Sequence, residues 1–83
     1  MTAMRVLRFL SGETIAHASK SVGVVRRHYS SIERGAVDPT PDTVRRIEEH
    51  FKGWSIDALL ENVTAEILRS LRQASARAHT IQN

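Results

Sequence analysis

The chain has 83 residues, a net charge of +3 and no cysteine. A chain this short supports one domain, which excludes a two-domain enzyme and any fold that needs a long parallel sheet. The missing cysteines exclude disulfides, thiolate zinc sites and thiol nucleophiles, while 41% apolar and 25% charged residues give the balance of a globular chain and not a disordered one.

Helix signals run through the chain, and no stretch alternates apolar and polar residues long enough to predict a strand. The first predicted helix spans about 2–10, with Val6, Leu7 and Leu10 on one face, and Ser11-Gly12 stops it. The second starts at the hydroxyl of Thr14 and runs to about Ser21, with Gly23 as the break. The third spans about 25–34, with Tyr29 and Ile32 inward and Gly35 as terminator. Residues 36–40 read as a loop. Thr40-Pro41-Asp42 then opens a fourth helix with a cap hydroxyl, a proline at the first helical position and an acid near the positive helix end. Val44, Ile47 and Phe51 form its apolar stripe, and Gly53 ends it. Ser55 caps a short fifth helix that carries Leu59 and Leu60. Asn62 is the predicted cap of a sixth, where Val63, Ile67, Leu71, Ala74, Ala78 and Ile81 step by three or four residues in a seam-like pattern. The expected fold is all-α, with a domain at 1–61 and a helical extension at 62–83.

Charge is unevenly placed. Residues 1–36 carry six cations against Glu13 and Glu33, residues 37–66 carry three against seven acids, and residues 67–83 add three more cations. This polarity suits one face for a polyanion; a merely solvated surface with uneven charge would show the same numbers. No uncharged apolar run approaches ~18 residues, so no membrane span is expected. Residues 1–10, broken by Arg5 and Arg8, are too short for a signal peptide, and a cytoplasmic location is the expectation.

The second and third predicted helices are the most informative. A short helix, a glycine turn and a second helix make a helix-turn-helix unit. The unit needs a small residue where the helices cross, supplied here by Ser19. It needs a glycine for a left-handed turn, supplied by Gly23. Ala18, Val22, Val24, Tyr29 and Ile32 supply the apolar set that locks the helices. Arg26 and Arg27 then fall in the first turn of the second helix of the unit.

These residues sit in a longer register. Leu7-Arg8, Gly12 and Thr14 come first, then Tyr29-Ser30-Ser31-Ile32-Glu33-Arg34-Gly35. A loop and helix start at Pro39-Thr40-Pro41-Asp42, and Ser55 leads to the paired Leu59-Leu60. The series resembles the lambda-repressor-like DNA-binding domains of the Xre and Cro type over about residues 4–60. The resemblance implies a five-helix bundle with a helix-turn-helix, plus an additional C-terminal helix. It also implies transcription regulation by sequence-specific binding of double-stranded DNA.

On that resemblance the third helix lies in the major groove with its first residues at base edges. Arg26 and Arg27 are the leading candidates, because arginine donates two parallel hydrogen bonds to guanine O6 and N7. His28 and Ser31 are weaker candidates. The backbone N–H groups after Thr14 suit a phosphate, and Lys20 and Arg34 add phosphate contacts. Ile15 stands where the family has a glutamine that contacts DNA, and Val25 stands where a capping hydroxyl is usual. Glu13 and Glu48 also occupy positions that are usually apolar or small. The resemblance further implies an ion pair between Arg8 and Glu33, with a structural role.

Trp54, Ile56, Leu59 and Leu60 follow a core that is already filled, so they are expected at a contact with a second copy or another protein. Val63, Ile67 and Leu71 extend that contact, the alternative being that this helix folds back on its own domain. The four histidines show no metal-ligand spacing, the serines have no base partner, and no glycine-rich phosphate loop occurs. No metal, cofactor, small-molecule ligand or enzymatic activity is expected. The expectation is a homodimeric repressor on an inverted-repeat operator, autoregulatory in one version. One alternative is an antitoxin whose last helix masks a partner protein. Another is a protein-interaction module on the same scaffold that does not read DNA.

Overall fold

Hydroxyl side chains set where four of the helices begin. Thr2 accepts from the Arg5 N–H, Thr14 from His17, Thr40 from Thr43 and Ser55 from Ala58. Each bond satisfies one of the orphan donors of a first helical turn and contributes about 1 kcal/mol. The computed structural model of the chain describes residues 1–70, 72 and 73. In chain order its helices are α1 (Ala3–Leu10), α2 (Ile15–Val22), α3 (Arg26–Glu33), α4 (Pro41–His50) and α5 (Ile56–Leu59). Residues 65–70, 72 and 73 are also helical. The fold is all-α: among the described residues the extended pairing is one isolated antiparallel bridge between Thr2 and Asn62.

The core is drawn from all five named helices. Met4, Ala18, Val22, Tyr29, Ile32, Ile47 and Leu59 are fully buried together. Leu7, Ile15, Val24, Phe51, Trp54, Ile56 and Leu60 pack around them, partly buried. Ala3 and Val6 form a second cluster on α1, covered by Leu7, Trp54, Val63, Ile67 and Leu68. α1 therefore has apolar cover on two sides, from the core and from the segment that follows α5. This explains why Leu10, predicted on the inward face, is exposed. Both sides of the helix are already served by Ala3, Met4, Val6 and Leu7.

Two further expectations need correction. Asn62 does not cap the last helical segment. It pairs with Thr2, while Ala3 N–H donates to Glu61 O at 3.0 Å and Val63 N–H donates to Met1 O at 2.9 Å. The cap is Thr64, whose hydroxyl accepts from Ile67 N–H at 3.3 Å. Leu59 is 0% exposed and belongs to the core, so it is no contact for a partner. Trp54, Ile56 and Leu60 are partly buried against the same core, and Val63 and Ile67 against the α1 cluster. The chain's own domain thus uses apolar surface that the spacing alone assigns to a partner. Leu71, Ala74, Ala78 and Ile81 lie outside the described residues.

Candidate nucleic-acid interface

The joint between α2 and α3 is built from short-range chemistry. Gly23 takes φ +82°, and its N–H donates to Ser19 O and Lys20 O at 2.9 and 3.2 Å. Val24 N–H also donates to Ser19 O, at 3.1 Å. A side chain at Gly23 would be strained by the left-handed backbone, and the tip of Arg46, 2.6 Å from its Cβ, would have to move aside. Ala18, Ser19 and Val22 are buried on α2, while Tyr29 and Ile32 are buried on α3. The helix pair is locked by these residues, which leaves the opposite face of α3 to solvent.

That face is basic. Arg26, Arg27 and His28 are exposed, and with Val25, Ser31 and Val37 they line one open groove. Ser31 is half-buried and spends its hydroxyl on Arg27 O at 3.1 Å. Arg34 is exposed but lies back along α3, donating from Nε to Ser30 O at 3.3 Å. Among the described residues, ion pairs engage Arg8, Arg45 and Arg46, His17 and His50 lie on the Glu13 carboxylate, and no carboxylate engages Lys20, Arg26 or Arg27. Lys20 and Thr14 are exposed on α2 outside the groove lining. Ile15, counted among the DNA-binding positions because it replaces the family's glutamine, is partly buried and packs on the core instead. Val25 starts α3 without any side-chain cap.

Behind α3 lies a buried polar network. Arg8 Nε donates to Glu33 Oε2 at 2.9 Å and Nη2 donates to Oε1 at 3.0 Å, a two-point pairing between α1 and the end of α3. The pair is almost closed to solvent, with Arg8 7% and Glu33 2% exposed. The third arm of the guanidinium, Nη1, donates to Glu13 O at 2.9 Å. Hydrogen bonding to Glu33 raises the Arg8 pKa against the opposing effect of burial, so the cation is held. Thr2 adds a hydroxyl bond to the Glu33 backbone carbonyl. Tyr29 is fully buried beside this network, and among the described residues its hydroxyl, near Glu33, makes no well-formed hydrogen bond. Burial first, and the Glu33 charge second, push its phenol well above the ordinary tyrosine range.

Sequence reasoning missed the next part of the network. The Glu13 carboxylate is shared by two histidines, His50 of α4 through Nε2 at 2.7 Å and His17 of α2 through Nδ1. Burial works against the Glu13 charge, but the hydrogen bonds from His50 and His17 outweigh it and keep the carboxyl below its usual range. Glu13 and His17 are four residues apart, a spacing that was legible. His50 is 37 positions away from Glu13, and no local rule joins them. Among the described residues no group of three or more His, Asp or Glu could hold a metal ion. Glu48 has a task of its own: Oε2 accepts the first N–H of α5, from Ile56, at 2.8 Å.

The chain was compared with protein-family models, with curated proteins and with solved structures, and it matches none of them. No helix among the described residues is long and apolar enough to cross a membrane.

Proposed function

We propose that the chain is a helix-turn-helix regulator of transcription, built on a lambda-repressor-like bundle, that binds a specific sequence of double-stranded DNA. One observation carries the reading. Arg26 and Arg27 stand exposed on the outward face of α3, without an acidic partner among the described residues, while the rest of that helix is fixed by the core and by Arg8–Glu33. A rigid helix with free guanidinium groups at its start has the reach to donate to guanine O6 and N7 in a major groove. Exposed Lys20 and the N-terminal turn of α2 flank it with phosphate-binding chemistry. Two copies on an inverted repeat, about 34 Å apart, complete the proposal, and occupancy of that site represses transcription. The contact between copies does not use Leu59.

The test is fluorescence anisotropy against duplexes selected from a random pool, over a salt series. Affinity is expected to fall steeply with salt, with a slope set by the number of phosphates contacted. Loss of one base-reading arginine, as Arg26→Ala or Arg27→Ala, is expected to cost ~1–3 kcal/mol and to relax the preference at one position. Binding that is blind to sequence, or unchanged in both variants, would reject the reading.

A further inference from the structure

The groove on α3 has apolar ends. Val25, in the turn before α3, and Val37, in the loop after it, are 72% and 39% exposed. They come from different segments, yet both line the groove that holds Arg26, Arg27, His28 and Ser31. Val25 leaves most of its surface in solvent, and Val37 leaves about two fifths of its own. At Val25 the choice also forgoes a bond, since a hydroxyl there could cap α3 as hydroxyls cap α1, α2, α4 and α5. Two valines with open surface around two guanidinium groups that have no acidic partner among the described residues fit a ligand edge with acceptors in the middle and methyl groups beside them.

A duplex presents such an edge in the major groove. Guanine offers the O6 and N7 acceptors, and thymine is the base that carries a methyl group, at C5. Resting on the DNA-binding reading above, we propose that Val25 and Val37 are specificity-determining residues that contact thymine methyl groups next to the guanine taken by Arg26 or Arg27. The preferred half-site then holds thymines beside guanine. The protein reads them by apolar contact, which needs no polar side chain at the position of Ile15.

The experiment uses the full chain and the tightest duplex recovered from a random pool. Each thymine is replaced in turn by deoxyuridine, which removes one methyl and changes no hydrogen bond. Affinity is expected to drop about fourfold at each contacted thymine, the effect of withdrawing one buried methyl. In Val25→Ser the penalty should vanish at one of these positions, and in Val37→Ser at another. Val25→Ser is expected to melt at or above the temperature of the parent, because serine can cap α3, so a change in its methyl preference cannot be put down to unfolding. Sequence-specific binding that tolerates deoxyuridine at every position within about twofold would overturn this inference and leave the DNA-binding reading standing. Methyl penalties that persist unchanged in both serine variants would overturn it too. Failure to recover any preferred duplex would remove both readings.

Discussion

Arg8 and Arg27 sit on helices that touch the same core, and the fold puts them in opposite surroundings. Arg8 is enclosed, and its guanidinium makes three hydrogen bonds, to both oxygens of Glu33 and to the Glu13 carbonyl. Arg27 is exposed and has no acidic partner among the described residues. The enclosed arginine is spent on holding α1, α3 and the start of α2 in one arrangement. The exposed one is free to meet a ligand because that arrangement fixes its helix. Charge alone therefore does not mark a binding residue; an unspent charge on an immobilised element does.

The largest effect should come from breaking the enclosed member of that contrast. Arg8→Ala leaves Glu33 buried without a counter-charge and Glu13 O without a donor, a loss of ~3–5 kcal/mol. For a domain of this size that lowers the melting temperature by more than ~10 °C. Glu33→Gln should also destabilise strongly, since it leaves the Arg8 cation buried without a counter-charge and sets an amide NH2 against one of its arms. Arg27→Ala should leave the melt where it is, as expected of an exposed side chain with no partner. A thermal melt of the three variants checks all of this, and equal midpoints for Arg8→Ala and Arg27→Ala would erase the distinction.

Next in size is Leu59→Ala, at ~2–5 kcal/mol for a cavity in the core. The drop in its melting point from the parent is expected to be the same at every protein concentration, because Leu59 packs entirely within its own chain. A drop that varies with concentration would return Leu59 to an interface between copies. The residue also shows how far apolar spacing can be read. Periodicity tells that Leu59, Leu60, Val63 and Ile67 seek burial, but not whether the surface that buries them belongs to the same domain. That was decided by the return of residues 61–63 to the N-terminus, where Ala3 N–H finds Glu61 O and Val63 N–H finds Met1 O. No local signal announces this pairing. The caps at Thr14, Thr40 and Ser55, and the turn at Gly23, were legible because their chemistry acts over three or four residues. On α3, the inward turn of Tyr29 and Ile32 was legible for the same reason, and it places Arg26 and Arg27 outside.

The smallest effect tests whether the buried network extends past Arg8 to α4. Glu13 joins the two, with its carbonyl on Arg8 and its carboxylate on His17 and His50. Its carboxyl titrates lower in the fold than in the open chain, since the two histidine hydrogen bonds outweigh burial. A group whose folded pKa is depressed contributes stability above its unfolded value, near ~4.3–4.5 for glutamate, and that contribution is lost as the pH falls through the folded value. Glu13→Gln removes this titration while keeping the shape of the side chain. In urea the parent is expected to be more stable than the variant at pH 7, and the gap between their midpoints should close as the pH is taken below about 4. The titratable and charged groups that face Glu13 are His17 on α2, His50 on α4 and Arg8 on α1, so the parallel variant His50→Gln should narrow the same gap. A gap that stays constant from pH 7 to about pH 3 would show that the carboxylate is not held by its histidines, and the polar network would then end short of α4.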